Sequence, residues 1–422
     1  MSDLFHWSDE ASRAAALARP VGRGDPALLE AVRTIVADVR ERGWDAVAEH
    51  SLRIDGAVPQ CIAVAPHAER ARRELAPGVH TAMALAARNI EAFHRATRPR
   101  DVQVTPMPGL TVEKQWRALD RAGLYVPGGK APLFSTLLML AIPARVAGVE
   151  QVVVVTPPRA AGGLDPSVAL AAELCGMDRI WTVGGAQAIA ALAWGAGEIP
   201  RVDRICGPGN AWVAAAKALV SAMPGGPGID LPAGPSELMV IADDGADPEV
   251  VAADLLSQAE HDRDAQVLLV TPDQDFAAAA RAAFERQRTG LSGECAPLRT
   301  IICSDLEQAV EIANLYAPEH LSLATAEAQR LVPLIRNAGA VFAGPAAAET
   351  FGDYLAGSSH VLPTDGAARF TGGVSTLTFM KAVTVQTLTA AAAAELAEPA
   401  AALARLEGLE AHARAADARR AA

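Results

Sequence analysis

The chain has 422 residues, carries a net charge of −12 and is 51% apolar. This length suffices for two or more domains with buried cores, and the acidic balance without a basic run argues against nucleic acid or an anionic membrane as a partner. The N-terminal residues lack a signal-peptide pattern, charged residues interrupt the most apolar stretch, and five scattered cysteines form no C-x-x-C pair. These features predict a cytoplasmic protein with reduced thiols and no membrane span.

The first 120 residues are rich in Ala and Arg and predict helices, for example over residues 27–42 and 79–95. From Gly123 onward, short β-branched runs alternate with Ala-rich segments of helical length. Alternation of this kind predicts βαβ units and a parallel sheet. The predicted strands are 123–126, 151–156 and 179–183, and the predicted helices are 135–148, 166–175 and 186–194.

A second α/β region follows the predicted strand 238–242. Asp247-Pro248-Glu249 predicts a helix start, because Asp caps a helix, Pro fits its first turn and Glu interacts favourably with the helix dipole. The further predicted strands are 266–271, 300–303 and 340–343, and the predicted helices are 305–316 and 326–337. Residues 389–422 predict a helical tail without strands.

Four of the nine histidines lie in the second half of the chain, each with a candidate metal-binding or catalytic partner nearby. The pairs are Gln258 with His261, Glu319 with His320, Asp353 with His360, and Glu407 with His412. Imidazole is the commonest metal ligand and the side chain best suited to move protons near neutral pH. The sequence therefore predicts a metal-assisted enzyme with its chemistry mainly in the second half.

Gln258 and His261 are three residues apart near the end of the helix that begins at Asp247, so they share one face. A Gln oxygen and an imidazole can bind one metal ion, although a solvated helix end would show the same spacing. Asp353 and His360 are suitable ligand types on a predicted loop. A mixed nitrogen and oxygen set suits zinc, and manganese or cobalt would also fit.

The other two pairs are predicted on different kinds of backbone, one on irregular backbone and one on a helix. Glu319 and His320 follow Pro318, and neighbours on irregular backbone can point into one cleft and divide acid and base work. Such a dipeptide also occurs by chance on protein surfaces. Glu407 and His412 would lie about 140° apart on an ideal helix, so they could share a site only if Gly408 bends the helix or the site wraps around it.

Three glycine-rich turns span residues 125–129, 183–187 and 206–210, and the sequence contains no G-x-G-x-x-G. The first two turns follow strands and precede helices, where the phosphates or ribose of a dinucleotide could approach the backbone. Tight βα turns need glycine in any case, so dinucleotide binding and a purely structural role both stay open. Residues 232–237 form another turn-rich segment before a strand.

In their order along the chain, these motifs resemble those of the L-histidinol dehydrogenase family. The resemblance extends from about residue 20 to the end of the chain. The matching runs are GLYVPGG (123–129), APLFST (131–136), VGGAQA (183–188), GPGN (207–210), PAGPSE (232–237), LSQAEH (256–261), YAPEHL (316–321), GDY (352–354), HVLPT (360–364) and EGL leading to AH (407–412). One departure is Ser358-Ser359, where the family more often has Pro-Asn or Thr-Asn, and it bears on the fine fit of the substrate.

The resemblance implies an enzyme that oxidises L-histidinol to L-histidine in two NAD-dependent steps, by way of L-histidinaldehyde. It also implies one zinc ion per subunit and an intertwined homodimer in which the C-terminal segment reaches the partner's active site. L-histidinol and NAD would then be its small-molecule partners. A shared active site would help to explain how Glu407 and His412 can serve one site despite their angle on an ideal helix, because the tail need not fold back onto its own chain.

The resemblance also implies a role for individual residues. The acid–base pair would be Glu319 and His320. The zinc ligands would be Gln258, His261, Asp353 and His412, and the contacts to NAD would come from Tyr125, Gln187 and Asn210. The substrate contacts would come from Ser236, Gln258, His261, His320, Asp353, His360, Glu407 and His412.

We expect an α/β fold with two Rossmann-like parallel-sheet domains plus small helical N- and C-terminal segments. The expected parts are an N-terminal helical segment (1–20), a first α/β domain on the substrate and zinc side (21–122 and 237–375), a second α/β domain on the NAD side (123–236) and a C-terminal helical segment (376–422). Two rival functions make different predictions. A related dehydrogenase of another small alcohol should keep the metal ligands and lose His360 and Glu407, and a metallohydrolase should act without NAD.

Overall fold

A computed structural model describes residues 3–20, 25–128, 132–231, 234–291 and 293–420. Among the predicted motif residues, Gly129, Ala131, Pro232 and Ala233 lie outside these described residues. The chain divides into two compact units. Unit 1 comprises Met1–Ala96 and Asp120–Phe379, and unit 2 comprises Thr97–Leu119 and Met380–Ala422.

The strands and helices of the described residues are numbered in chain order. The strands are β1 (Asp3–His6), β2 (Cys61–Ala63), β3 (Val102–Met107), β4 (Leu110–Ala118), β5 (Arg121–Tyr125), β6 (Gln151–Thr156), β7 (Arg179–Thr182), β8 (Arg204–Cys206), β9 (Gly228–Ile229), β10 (Glu237–Ala242), β11 (Gln266–Thr271), β12 (Leu298–Ile302), β13 (His320–Ala324), β14 (Ala340–Ala343) and β15 (Met380–Leu388). The helices are α1 (Glu10–Ala16), α2 (Pro26–Arg42), α3 (Trp44–Asp55), α4 (Val64–Glu74), α5 (Pro77–Thr97), α6 (Phe134–Ala147), α7 (Pro166–Leu174), α8 (Gly185–Trp194), α9 (Ala211–Ala222), α10 (Pro248–Ala259), α11 (Gln274–Arg288), α12 (Leu306–Tyr316), α13 (Ala328–Leu331), α14 (Glu349–Tyr354), α15 (Ala390–Leu406) and α16 (Glu410–Asp417).

Unit 1 contains two six-stranded sheets. Sheet A has the strand order β1-β12-β11-β10-β13-β14, and all its neighbouring strands are parallel. Sheet B has the order β2-β7-β6-β5-β8-β9 and is parallel except that β2 runs antiparallel to β7. The predicted α/β fold with two Rossmann-like sheets is therefore confirmed.

Strand β10 shows how helices cover both faces of sheet A. All six of its residues, Glu237–Ala242, are buried. Leu238 and Val240 pack in a core with side chains of α10 and α11, whereas Met239 and Ile241 pack in a second core with side chains of α12. Because neighbouring residues of a strand point to opposite faces, a strand covered on both sides needs a continuous apolar run, which this sequence supplies.

Three helices of unit 1 begin with the same Asp-Pro pair. The carboxylates of Asp25, Asp165 and Asp247 accept hydrogen bonds from the amides of the second helical residues, at 2.9, 2.9 and 2.8 Å. The proline that follows occupies the first helical position, where its missing N–H leaves no acceptor unsatisfied. The helix start predicted at Asp247 is confirmed.

Several local predictions were wrong. The helix predicted over 326–337 is reduced to α13 and a 3-10 helix, Val332–Leu334, because Pro333 has no N–H to continue an α-helix. The N-terminal segment contains the expected helix, α1, but it also contains the strand β1, which was not predicted and pairs with β12 of sheet A. Strand β2 joins sheet B beside β7. Residues 3–20 and 25–96 thus supply one strand to sheet A and one to sheet B, and the domain borders drawn from the sequence remain a prediction.

Unit 2 contains an antiparallel sheet in the order β15-β4-β3, followed in sequence by α15 and α16. Met380 pairs with Ala118 and Leu388 with Leu110 at the two ends of the β15 ladder. The segment 376–422, predicted as helical, contains the helices α15 and α16, but it opens with a 3-10 helix and a strand that were not predicted. The alternating Val and Thr residues of β15, VTVQT, favour a strand over a helix. Within the described ranges, the structure contains no helix long and apolar enough to cross a membrane.

Candidate active site

A cavity of about 160 Å³ lies in unit 1, between the amino ends of sheet A strands and the turns that follow strands of sheet B. Glu319 and His320 stand at the start of β13, and Gly207 and Pro208 follow β8. Seven of the predicted site residues line it, namely Ser236, Gln258, His261, Glu319, His320, Asp353 and His360. The structure therefore brings together side chains that lie more than a hundred residues apart in the sequence.

His320 is the first residue of β13 rather than part of an irregular backbone, and only 4% of it is exposed. Its Nδ1 lies 3.1 Å from the carbonyl oxygen of Glu237, so Nδ1 carries a proton and donates it. The other ring nitrogen, Nε2, is buried and has no hydrogen-bond partner among the described residues. Burial lowers the pKa of His320 to about 3, which keeps the ring neutral and its Nε2 lone pair available.

Glu319 is also buried, and its Oε2 accepts a hydrogen bond of 2.9 Å from the backbone amide of Glu237. Burial raises the pKa of Glu319 well above its ordinary value, and the nearby carboxyl groups of Glu237, Glu349 and Asp353 raise it further. A carboxyl group with a raised pKa is suited to exchange protons near neutral pH. Glu319 and His320 thus meet the chemical demands of the predicted acid–base pair.

Asp353 lies on the short helix α14 and not on the predicted loop. Glu349 precedes it by four residues, so the two carboxyl groups share a face of the helix. Glu349 Oε1 is 3.4 Å from Nδ1 of His320, and Asp353 Oδ1 is 3.8 Å from Nε2. Burial raises the pKa of Asp353 to about 6 and that of Glu349 well above its ordinary value. Sequence reasoning missed Glu349, which the spacing to Asp353 would have indicated once the helix was recognised.

Gln258 and His261 offer donors for a metal ion. Helix α10 ends at Ala259, so His261 lies two residues beyond the helix on which it was predicted. Gln258 is 1% exposed, and both polar atoms of its amide lack partners among the described residues. His261 Nδ1 lies 2.8 Å from the carbonyl oxygen of Ser257, which leaves Nε2 for a ligand. An unpaired buried amide is costly unless something binds it, and these donors with Asp353 suit a cation such as zinc.

A second group could also hold a cation. Ligand atoms of His320, Glu349 and Asp353 lie within 4.8 Å of one another. However, Nδ1 of His320 is bonded to Glu237, so an ion on this ring would occupy Nε2 and remove the free lone pair of the site. The donor set of Gln258, His261 and Asp353 leaves His320 free and is therefore favoured.

His360 also lines the cavity, and both of its ring nitrogens have hydrogen-bond partners. Nδ1 lies 3.2 Å from the backbone oxygen of Asp353 and therefore donates, while Nε2 lies 3.1 Å from the hydroxyl of Thr136 and therefore accepts. Burial lowers the pKa of His360 to about 4, so the ring is neutral. Thr136 belongs to a recognised motif but was not predicted as a site residue. Ser236 lines the cavity immediately before β10.

The three predicted NAD residues lie near the carboxyl ends of strands in sheet B. The hydroxyl of Tyr125 accepts a hydrogen bond of 3.3 Å from the amide of Gly185. Gln187 is fully buried and donates to Asp55 at 3.1 Å. Asn210 caps α9 by accepting hydrogen bonds from two amides of its first turn. The structure thus brings Tyr125 and Gln187 to one turn, and Asn210 to the turn whose Gly207 lines the cavity.

Glu407 and His412 belong to unit 2, whereas the residues that line the cavity belong to unit 1. Both residues are exposed. Gly408, with a φ of +77°, ends α15, and His412 lies on α16. The angle predicted for one ideal helix therefore does not apply, because these residues flank a break that glycine permits.

Titratable side chains in a cavity between two Rossmann-like sheets suit the proton transfers of an oxidoreductase such as a dehydrogenase. The histidinol dehydrogenase family model matches residues 21–420, and the chain accordingly belongs to this family. The resemblance inferred from the ordered motifs is confirmed.

The similarity to named relatives covers nearly the whole chain. The chain is 46% identical to the histidinol dehydrogenase of Xanthomonas euvesicatoria pv. vesicatoria (strain 85-10), over 98% of this chain and 97% of the relative. It is 44% identical to the histidinol dehydrogenase of Salmonella typhi, over 97% and 95%. The crystal structure of histidinol dehydrogenase from Elizabethkingia anophelis is 35% identical and superposes with a TM-score of 0.94, over 99% of this chain and 98% of that one.

Proposed function

We propose that this protein oxidises L-histidinol to L-histidine in two successive NAD-dependent steps, with L-histidinaldehyde between them. The observation that carries the proposal is the state of His320, whose Nδ1 is bonded to Glu237 while the buried Nε2 faces no protein partner among the described residues. The relatives at 44–46% identity are named histidinol dehydrogenase. A neutral imidazole with one free nitrogen is the group that an alcohol oxidation needs to remove the hydroxyl proton.

Zinc and NAD are the cofactors of this proposal. Gln258, His261 and Asp353 would hold one zinc ion per subunit, and the unpartnered amide of Gln258 fits this role. Zinc, when bound, supplies a positive charge that fixes the imidazole and amino nitrogens of the substrate. NAD, when bound beside Tyr125, Gln187 and Asn210, accepts a hydride in each oxidation.

In this proposal His320 removes a proton through Nε2 in both oxidations. A pKa near 3 would make His320 a weak base if its surroundings stayed neutral. Two carboxyl groups flank the ring, Glu349 at 3.4 Å from Nδ1 and Asp353 at 3.8 Å from Nε2. Their ionised forms would stabilise the imidazolium that forms when His320 takes a proton.

Glu319 activates the water that hydrates the aldehyde before the second oxidation. Its Oε2 is bound by the amide of Glu237, which leaves Oε1 for a water molecule. Burial raises its pKa well above the ordinary value, which makes its carboxylate a stronger base than an exposed one. Keeping both oxidations in one pocket protects the reactive aldehyde from escape.

Glu319→Gln is expected to slow the conversion of aldehyde to acid by about a hundredfold while affecting the first oxidation much less. Gln keeps the hydrogen bond to Glu237 but cannot take a proton from water. Stopped-flow measurement of NADH with L-histidinol and then with L-histidinaldehyde separates the two halves. An equal loss of rate in the first oxidation and in the conversion of aldehyde to acid would contradict the role of Glu319 as water activator.

We further propose that two copies share their active sites, with Glu407 and His412 of one copy completing the site of the other. Their exposure within unit 2 is consistent with this role. His412 would then be a further zinc ligand, and both residues would contact the substrate together with Ser236 and His360.

Shared sites predict that two inactive variants restore each other. His412→Asn co-expressed with His261→Asn should recover about one quarter of wild-type activity, because half of the random dimers are mixed and each mixed dimer has one intact site. His412→Asn co-expressed with Glu407→Gln is the control, since every site then has a defective tail. No recovery in the first mixture would show that each chain completes its own site.

The product analysis tests the function itself. Chromatography should show L-histidinol converted to L-histidine in the presence of NAD, whereas a 2-amino alcohol without the imidazole should react far more slowly. Consumption of the second alcohol with no turnover of L-histidinol would overturn the assignment. A cytoplasmic location is part of the proposal, and cell fractionation would test it.

A further inference from the structure

We propose that Arg19 and Glu237 form a positioning pair that holds Glu319 and His320 in their catalytic geometry. This inference rests on the proposed function of those two residues. Neither Arg19 nor the side chain of Glu237 lines the cavity, so the pair acts through the backbone and not on the substrate.

The backbone of Glu237 holds both members of the acid–base pair. Its amide donates to Oε2 of Glu319 at 2.9 Å, and its carbonyl oxygen accepts from Nδ1 of His320 at 3.1 Å. A shift of this one residue would therefore move the Glu319 carboxyl group and remove the hydrogen bond that fixes the His320 tautomer.

The side chain of Glu237 fixes the position of that backbone. It is 1% exposed, and its two oxygens accept hydrogen bonds from Nε and Nη2 of Arg19 at 2.6 and 3.0 Å. The backbone amide of Asp365 donates to Oε1 at 3.1 Å. A planar guanidinium bound to a carboxylate through two bonds fixes orientation as well as distance.

Arg19 also contacts the segment that leads to the acid–base pair. Its Nη2 donates to the carbonyl oxygen of Tyr316 at 2.9 Å, and its guanidinium carbon lies 3.8 Å from the centre of the Tyr316 ring. Tyr316 ends α12, and the turn to Glu319 passes through Ala317, which has a φ of +55°. Arg19 thus links the start of β10 to the turn before β13.

This arrangement gives a role to a charged pair of which Glu237 is buried and Arg19 is partly buried. Burying a carboxylate and a guanidinium is costly, and apolar residues often stabilise a core as well. The pair instead provides directional bonds at a point where catalysis depends on geometry. A displacement of about 1 Å in a catalytic group can cost about a hundredfold in rate.

The test compares variants of Arg19 in the zinc-loaded full-length enzyme. Arg19→Met should lower kcat by about a hundredfold, while the KM for L-histidinol and the zinc content change little. Arg19→Lys, which keeps the charge, should recover part of the rate. The matched control is Arg13→Met, because Arg13 stacks on Trp7 in the same N-terminal segment and its loss should leave kcat unchanged.

A second variant keeps the test decisive if Arg19→Met folds poorly. Arg19→Met combined with Glu237→Gln removes both charges, so no unpaired charge stays buried. A folded double variant with wild-type kcat would overturn the proposal, because the pair would then serve stability alone. A low kcat with displaced Glu319 and His320 side chains in its crystal structure would support it. The crystal structure tests the positioning role even if the wild type fails to oxidise L-histidinol. A failure of this inference can therefore be distinguished from a failure of the proposed function.

Discussion

His320→Asn is expected to abolish both oxidations, with kcat reduced about a thousandfold or more, while zinc stays bound. Asparagine can donate to the carbonyl of Glu237 as the imidazole does, but it offers no basic nitrogen at the position of Nε2. Because His320 serves as the base in both steps, neither L-histidinol nor L-histidinaldehyde should be turned over. NADH absorbance with each substrate measures the two steps, and elemental analysis measures the zinc.

His6→Asn is the matched control, since His6 is exposed on β1 and the same substitution there should leave turnover unchanged. A His320→Asn enzyme that keeps kcat within tenfold of the wild type would remove this residue from the mechanism. Loss of zinc in the same variant would point instead to an ion held by His320, Glu349 and Asp353.

The second large effect concerns the metal. His261→Asn is expected to weaken zinc binding by at least about a hundredfold, because an imidazole ligand is replaced by an amide that is a much poorer donor to this ion. The variant should emerge from a chelator wash without metal under conditions in which the wild type keeps its ion. Zinc added back should raise the unfolding temperature of the wild type far more than that of the variant.

His320→Asn is the internal comparison for this experiment, since it should lose activity and keep zinc. The two variants are therefore expected to differ in metal content: His320→Asn loses activity and keeps zinc, whereas His261→Asn loses zinc. Zinc retained by His261→Asn at the wild-type stoichiometry would sink the proposed ligand set of Gln258, His261 and Asp353.

Local sequence patterns predicted most elements of the two sheets because their signals are short-range. The apolar run of β10 and the helix start at Asp247 each depend on a few neighbouring residues. Strand β15 was missed because the segment was judged by its Ala-rich helical tail, although its own Val and Thr residues favour a strand. Pairing of β1 with β12 joins residues almost three hundred positions apart, and no local pattern reports such a contact.

The candidate site likewise combines residues that local patterns indicate with residues that only long-range contacts reveal. The residue types at Gln258, His261, Glu319 and His320 indicated metal and proton chemistry before the structure was known. Glu349 was missed because α14 has only six residues, too few for a helical period to appear. The role of Arg19 depends on a contact with Glu237 across 218 residues, which only the folded chain shows.

A zinc-dependent, two-step oxidation is tested most directly by NADH absorbance with limiting L-histidinol and excess NAD. Zinc-loaded protein, chelator-stripped protein and stripped protein with zinc restored are compared. We expect two NADH for each L-histidinol, loss of the signal on stripping and its return with zinc. One NADH per L-histidinol, or full turnover by the stripped protein, would contradict it.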